Sequence, residues 1–170
     1  MTFPPRLLDA ARAVELVCFD VDGVLTDGRI VYTDDGREIK AFHVQDGAAI
    51  KQLMAGGIHV ALLTGRSSPA VERRAAELGI RHVHQGLSDK VPALDALTRS
   101  LHLSTAQVAH VGDDLPDLAL FDRVGFAISV PNGHPEVRRR ADYVTETRGG
   151  DGVAREVVEL LMRARGTWPY

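Results

Sequence analysis

Short apolar runs alternate along the chain with longer segments in which apolar residues recur at helical spacing. The short runs predict strands over residues 16–19, 60–63, 81–84, 108–111, 125–128 and 143–144. The longer segments predict helices over residues 47–55, 69–78, 91–101, 117–120, 135–140 and 153–165. This alternation is typical of βαβ units, so we expect an α/β protein with a three-layer α/β/α arrangement around a parallel sheet.

One segment departs from this alternation. Residues 28–42, with the sequence GRIVYTDDGREIKAF, alternate between apolar and polar residues on either side of Asp34, Asp35 and Gly36. An Asp-Gly pair between two alternating segments is typical of a β-hairpin. We therefore predict a β-hairpin insertion directly after the first strand. No repeat, low-complexity tract or linker divides the chain, and we expect one domain over residues 1–170.

The composition excludes several classes of partner. The chain has 170 residues, 45% of them hydrophobic, and its 23 acidic residues outnumber its 20 lysines and arginines. This balance argues against a nucleic-acid partner. No apolar run is long enough to span a membrane, and the start MTFPPRLLDAARA lacks the apolar core of a secretory signal. The single cysteine, Cys18, lies in the first apolar run, so we expect a buried thiol in a soluble, cytoplasmic protein.

Polar residues follow three of the predicted strands directly. They are Asp20 and Asp22 after the first strand, Thr64, Gly65 and Arg66 after the second, and Asp113, Asp114 and Asp117 after the fourth. Open α/β sheets bind their ligands beyond the carboxyl ends of the strands, so we expect these residues to converge. Two aspartates spaced two apart face the same side of a strand and repel each other unless a cation lies between them. Carboxylate ligands favour Mg²⁺ over Zn²⁺, and Mg²⁺ in turn favours a phosphate-bearing substrate.

Two other metal sites are weaker interpretations. A calcium-binding EF-hand loop starting at Asp20 would need glycine at its sixth position and glutamate at its twelfth, where this chain has Leu25 and Val31. His82 and His84 share a strand face, but no further zinc ligand lies at suitable spacing, which favours packing or a surface role.

Each acidic motif also has an ordinary structural interpretation. Asp-Gly is common in turns, and Gly-Asp-Asp often precedes a helix cap. The basic run 138–140 is typical of a solvated helix face. The glycines of segment 149–152 are typical of a turn before a helix, although such a turn can also hold an anion. All three acidic or hydroxyl motifs occur in order, each after a predicted strand. This joint occurrence favours a functional site over three unrelated turns and caps.

The motifs DVDGVLTDG, LLTGR, LSDK with Lys90, and GDDLPD together resemble the four motifs of the haloacid dehalogenase superfamily of Mg²⁺-dependent phosphatases. Over residues 16–161 the chain is similar to one branch of that superfamily, the phosphatases of an eight-carbon sugar acid phosphate that serve lipopolysaccharide precursor synthesis. The resemblance implies a HAD-like, Rossmannoid fold that is capless, because no long insertion follows Arg66.

The resemblance also implies roles for individual residues. Asp20 would be the nucleophile that forms an aspartyl-phosphate, and Asp22 would be the general acid and base. Thr64, the Gly65 amide and Lys90 would hold the phosphoryl group. The ligands of Mg²⁺ would be the carboxylates of Asp20 and Asp113 and the backbone carbonyl of Asp22. Asp114 and Asp117 would orient Lys90 or bound waters, or else cap the following helix.

The same resemblance implies where the sugar acid binds. The expected contacts are His43, Val44, Gln45, Asp46, Gly47, Lys51, Gly65, Arg66 and Arg74, together with Asp22 and Lys90. Gln45 stands where some relatives have arginine, so we expect the contact with the substrate carboxylate to be shifted. For Arg74 the alternative is a solvent-facing helix residue like its neighbour Arg73.

A capless core would leave its active site open to water, and the resemblance implies that a homotetramer closes it. We expect the apolar hairpin residues Ile30, Tyr32, Ile39 and Phe42 to contact neighbouring copies, because an isolated hairpin is marginally stable. Two alternatives stay open. The substrate could be a nine-carbon, sialic-acid-type acid phosphate, or the chain could be a noncatalytic assembly module, like the phosphatase-like domains fused to nucleotidyltransferases.

Overall fold

The structure, a computed structural model, describes residues 2–170. Its strands are β1 (Leu16–Phe19), β2 (Val31–Tyr32), β3 (Glu38–Ile39), β4 (His59–Leu63), β5 (His82–His84), β6 (Val108–Gly112), β7 (Phe126–Ser129) and β8 (Tyr143–Val144). Its α-helices are α1 (Pro5–Arg12), α2 (Val44–Ala55), α3 (Pro69–Leu78), α4 (Val91–Leu101), α5 (Leu118–Phe121), α6 (Pro135–Arg140) and α7 (Val153–Ala164). Short 3₁₀ turns cover Thr105–Gln107 and Leu115–Asp117.

The main sheet places the predicted site residues at one edge. Six parallel strands lie in the order β5-β4-β1-β6-β7-β8. At the end of β1, Phe19 pairs with Leu62 of β4 on one side and with Val111 of β6 on the other. The chain crosses from one side of β1 to the other between β5 and β6, so the carboxyl ends of β4, β1 and β6 meet where ligands of such sheets bind.

Helices cover both faces of this sheet, which confirms the predicted three-layer fold. Val17 and Phe19 of β1 pack on the side of α1, α2, α3 and α7. Leu16 and Cys18 face the other side, where they pack against α4 and α5. Because both faces of a parallel strand are buried, β1 reads as a continuous apolar run rather than an alternating one.

Most predicted boundaries agree with the structure to within one residue. Helix α2 begins three residues earlier than predicted, at Val44. The helix predicted over 117–120 is α5, which begins and ends one residue later, and the 3₁₀ turn Leu115–Asp117 precedes it. Helix α1 was not predicted; it begins at a proline and buries Leu7 and Ala11, and it packs against α7. No helix within residues 2–170 combines the length and apolarity needed to span a membrane.

The predicted hairpin is present as an antiparallel pair separate from the main sheet. Val31 pairs with Ile39, and Gly36 closes the turn with a φ of 81° and a 2.8 Å hydrogen bond from its amide to the Thr33 carbonyl. The side chains of Ile30, Tyr32 and Ile39 are exposed. Phe42, which we expected to share this exposure, instead packs against the protein's own core, because the chain turns inward before α2.

Candidate active site

The carboxyl ends of β1, β4 and β6 surround one open cavity of about 340 Å³. Its lining includes Ser88 and the predicted residues Asp20, Asp22, Thr64, Gly65, Arg66, Lys90, Asp113, Asp114 and Asp117. Lys90 precedes the first residue of α4, Asp117 ends the 3₁₀ turn after β6, and the other predicted residues lie within three residues of the end of a strand. The structure therefore brings together all the predicted catalytic and metal-binding residues.

Asp20 is buried and held by two donors. The Val21 amide donates to Oδ1 at 2.7 Å, and Lys90 Nζ lies 3.0 Å from Oδ2. Burial raises the pKa of Asp20, and the positive charge of Lys90 opposes that rise. A carboxylate fixed in this way at the floor of a cavity is suited to nucleophilic attack on a bound phosphoryl group.

Asp117 fixes the position of Lys90. Its Oδ1 lies 2.7 Å from Lys90 Nζ and 2.8 Å from His110 Nε2, while its Oδ2 accepts hydrogen bonds from the amides of Asp113 and Asp114. Burial alone would raise the pKa of Asp117, but His110 and Lys90 together hold it well below its usual range. With both oxygens already bonded, Asp117 serves to position Lys90.

His110 was not identified from the sequence. It lies within β6, fully buried, and its Nδ1 is 3.1 Å from the Cys18 carbonyl of β1. The signal in the sequence was a single polar residue inside the apolar run VAHVG, seven residues before Asp117. A buried polar side chain needs a partner, and Asp117 supplies it.

The acidic residues fit a divalent cation. Oxygen atoms of Asp20, Asp113 and Asp117 lie within 4.8 Å of one another. Asp113 Oδ1 is buried and has no hydrogen-bond partner, and burial with the charges of Asp20 and Asp117 raises the pKa of Asp113 to about 7. A Cβ at Gly23 would overlap the Asp113 carboxylate, so the backbone after Asp22 lies directly against it. Because Asp117 is fully bonded, Asp20 and Asp113 are the carboxylates available to a hard cation.

Within residues 2–170 these three aspartates are the only such cluster of three potential metal ligands. His59 lies beside His82, but the two rings pack edge-on with their centroids 6.4 Å apart, and His59, His82 and His84 do not form a cluster with ligand atoms close enough for one metal ion. The zinc interpretation therefore has no structural support in the described part of the chain.

The Asp22 side chain is directed toward the hairpin. It forms ion pairs with Lys40 and with Arg66, whose Nε lies 3.8 Å from Asp22 Oδ2. Glu38 of β3 pairs in turn with Arg66 and, at 3.3 Å, with Lys40. Glu38 and Lys40 are not recognisable as site residues from the sequence, because charged residues on a hairpin usually face solvent.

The predicted sugar-binding residues at the start of α2 do not line this cavity. His43, Asp46, Gly47 and Arg74 instead surround a small, mostly apolar cavity of about 20 Å³ between α2 and α3. Asp46 is buried, and burial raises its pKa; its Oδ1 accepts from the Arg155 amide at 3.0 Å, while its Oδ2 has no partner. A contact between these residues and a substrate stays a prediction.

The other three predicted residues of this group lie on the surface of α2. Val44 is 77% exposed, Lys51 is exposed, and a Cβ at Gly152 would lie 3.5 Å from the Gln45 amide oxygen. Arg74 differs from the exposed Arg73, because its guanidinium packs against Gly47. Their roles in substrate binding likewise stay predictions.

The segment 149–152 braces the loop after β1. Asn132 Nδ2 donates to the Gly23 carbonyl at 2.8 Å, and Asn132 Oδ1 accepts from the Gly149 amide at 2.7 Å. The Gly150 amide donates to the Val24 carbonyl at 2.9 Å. The glycines allow this close approach, because a Cβ at Gly149 would overlap the Gly23 carbonyl.

A buried aspartate after β1, a threonine after β4, a metal-suited carboxylate after β6 and a lysine at the start of α4 meet at one edge of a parallel sheet, and this arrangement is typical of a hydrolase of the haloacid dehalogenase-like class. The family described as haloacid dehalogenase-like hydrolase matches residues 82–157. The chain is 44% identical over 162 residues to the 3-deoxy-D-manno-octulosonate 8-phosphate phosphatase KdsC of Salmonella typhimurium, covering 95% of this chain and 86% of the relative. It is 45% identical over 156 residues to KdsC of Escherichia coli K12, covering 92% and 83%. The chain therefore belongs to the 3-deoxy-D-manno-octulosonate 8-phosphate phosphatase family and is a phosphatase.

Solved structures of similar proteins agree. The phosphatase from Moraxella catarrhalis, in complex with a magnesium ion, a phosphate ion and a KDO molecule, is 46% identical, with a TM-score of 0.93 over 96% of this chain and 94% of that one. The cobalt-bound phosphatase from Haemophilus influenzae is 39% identical, with a TM-score of 0.89 over 92% of each chain. Both relatives thus hold a divalent metal.

Proposed function

We propose that this protein hydrolyses 3-deoxy-D-manno-octulosonate 8-phosphate, with Asp20 as the nucleophile. The observation that carries the proposal is the buried chain of contacts from Asp20 to Lys90 to Asp117 at the floor of the cavity. It presents a fixed carboxylate beside a fixed positive charge, which is the arrangement that phosphoryl transfer needs. The names of the relatives support the eight-carbon substrate over a nine-carbon one and over a noncatalytic module.

The reaction proceeds in two displacements. Asp20 attacks phosphorus, the new bond from Asp20 oxygen to phosphorus forms, and the bond from phosphorus to the sugar oxygen breaks while Asp22 protonates that oxygen. Asp22, now a carboxylate, then removes a proton from water, which attacks the phosphorus of the aspartyl-phosphate. This second step releases inorganic phosphate and restores both Asp20 and the proton that Asp22 gave to the sugar oxygen.

The groups around the phosphoryl oxygens stabilise the charge that develops on them. Lys90, the Thr64 hydroxyl and the Gly65 amide are the donors that we assign to this role. A Mg²⁺ ion held by Asp20, Asp113 and the Asp22 carbonyl would neutralise further charge on the phosphoryl group. The unpaired Asp113 oxygen and its raised pKa support this ligand set.

We assign the substrate carboxylate to Arg66, whose side chain is 42% exposed at the edge of the cavity. A guanidinium binds a carboxylate through two parallel hydrogen bonds. The contacts expected from residues 43–47, Lys51 and Arg74 would require either movement of α2 or a substrate that extends beyond this cavity.

We further propose that a homotetramer completes the site. The exposed apolar residues Ile30, Tyr32 and Ile39 support an interface on the hairpin, whereas Phe42 is partly buried against the core and gives this interface less support. The unpaired, buried Cys18 supports a reducing compartment such as the cytoplasm.

A substrate panel tests the proposed function. The purified protein is assayed with Mg²⁺ against 3-deoxy-D-manno-octulosonate 8-phosphate, a nine-carbon acid phosphate and neutral sugar phosphates. We expect the highest kcat/KM on the eight-carbon acid and no turnover by Asp20→Asn. A higher kcat/KM on the nine-carbon acid would overturn the proposed substrate. If the protein turned over none of the phosphate esters, the proposed activity would be wrong.

A further inference from the structure

Four charged side chains of alternating sign form a cluster beside the cavity. The chain of ion pairs runs from Asp22 to Lys40, from Lys40 to Glu38 and from Glu38 to Arg66, and Arg66 closes it on Asp22. Asp22 and Arg66 follow strands of the main sheet, whereas Glu38 and Lys40 belong to the hairpin segment. The cluster is therefore the polar connection between the hairpin and the site.

Lys40 is the most buried member of this cluster. Its side chain is 2% exposed, compared with 42% for Arg66 and 21% for Asp22. Removing an ammonium group from water is costly unless carboxylates compensate the charge. The compensating groups are Asp22 and Glu38, so the ammonium has one preferred position and cannot move freely as a surface lysine does.

Asp22 depends on this lysine in a way that Asp20 does not. Asp20 is held by its neighbour's amide and by Lys90 from the main fold. In the described part of the chain, the ion-pair partners of Asp22 are Lys40 and Arg66. The Asp22–Arg66 separation of 3.8 Å is long for a hydrogen bond, which leaves Lys40 as the close partner.

We propose that Lys40 is a positioning residue that holds the Asp22 carboxylate in the orientation needed for proton transfer, and that Glu38 fixes Lys40 and Arg66 relative to each other. The proposal rests on the assignment of Asp22 as general acid and base. A displacement of about 1 Å at a reacting group can cost about 100-fold in rate. The hairpin thus contributes to catalysis within its own chain, independently of any contact with a neighbouring copy.

A double-mutant cycle on the full-length protein tests the proposal. The variants are Lys40→Met, Asp22→Asn and the two combined, assayed with 3-deoxy-D-manno-octulosonate 8-phosphate and Mg²⁺. We expect Lys40→Met to lower kcat by about 10- to 100-fold, with KM changed less than about threefold. The combined variant should be no slower than Asp22→Asn alone, to within about twofold, because Lys40 acts through Asp22.

Two further variants separate positioning from general effects on the hairpin. Arg37→Met removes an 81% exposed cation of the same hairpin and should leave kcat within about twofold of the unmodified protein. Lys40→Arg keeps the charge and should have a kcat at least about fivefold higher than that of Lys40→Met. If Lys40→Met does not fold, as judged by circular dichroism, Lys40→Gln replaces it in the cycle.

An unchanged kcat in Lys40→Met would overturn the proposal. It would also be overturned if the combined variant lost activity by the product of the two separate losses. Full activity of Asp22→Asn beside an impaired Lys40→Met would do the same. Full activity of Asp20→Asn would instead show that Asp20 is not the nucleophile of the proposed function. The double-mutant cycle on Lys40 and Asp22 would still test the positioning role of Lys40.

Discussion

Replacing Asp113 with asparagine should stabilise the metal-free protein at alkaline pH. The Asp113 carboxylate is partly buried near Asp20 and Asp117, its Oδ1 has no partner, and its pKa is raised from the ordinary value of 3.8 to about 7. A pKa that is higher in the folded than in the unfolded state means that ionisation opposes folding. Asparagine has almost the same shape and carries no charge, so this unfavourable contribution disappears.

The size and the sign of this change in stability follow from the pKa of Asp113 in the folded and in the unfolded protein. The unfavourable contribution is nearly absent below the unfolded pKa, grows as pH rises and is complete above a pH of about 7. A difference of about three pH units corresponds to about 4 kcal/mol. Because Asp113 keeps some contact with water, we expect Asp113→Asn to gain about 2–4 kcal/mol at pH ~8 and less than half of that at pH ~5.

Thermal unfolding followed by circular dichroism, in EDTA and at one protein concentration, measures this difference. For a chain of this size the expected rise in Tm is about 5–15 °C at pH ~8. The control is Asp114→Asn, which alters an exposed neighbour whose side chain caps a 3₁₀ turn. An Asp113→Asn variant that is less stable than the unmodified protein at pH ~8, or a difference that does not depend on pH, would refute the reasoning.

Three other perturbations have defined outcomes. EDTA should abolish hydrolysis and Mg²⁺ should restore it, with Zn²⁺ a poor substitute because the ligands are oxygen atoms; activity after exhaustive chelation would contradict the metal assignment. Replacing Ile30 and Ile39 with aspartate should give smaller species in sedimentation and lower activity together, whereas a fully active monomeric unmodified protein would exclude a shared site. Glu156→Ala should lower the free energy of unfolding, measured by urea titration, by at least about 3 kcal/mol. The cause is that the Tyr143 hydroxyl and the amides of residues 146 and 147 lose their buried acceptor. A loss below about 1 kcal/mol would show that water replaces the carboxylate as acceptor.

The sheet and the positions of Asp20, Thr64 and Asp113 could be predicted because they depend on local pattern. Parallel strands buried on both faces appear as continuous apolar runs, and the residues that follow such runs lie at the carboxyl edge of the sheet. The order of the acidic and hydroxyl motifs along the chain then indicates phosphoryl transfer.

Other features depend on contacts between distant segments. The Lys40 side chain is buried where it pairs with Asp22 of the loop after β1, and no property of the hairpin sequence distinguishes it from the exposed Arg37. His110 is recognisable only through Asp117, which reaches back to it from the following turn. Helix α1 is short and gains its stability from packing against α7 rather than from its own sequence.

Trapping the phosphorylated enzyme tests the central claim most directly. The protein is mixed with excess substrate and Mg²⁺, quenched in acid within the first turnover and treated with borohydride, which reduces an aspartyl-phosphate to a residue that mass spectrometry can locate. We predict that the modified residue is Asp20 and that the Asp20→Asn variant yields none. A modification at Asp22 or another residue, or no modification under conditions where the dephosphorylated sugar acid is released in a burst ahead of phosphate, would contradict the assignment of Asp20 as the nucleophile.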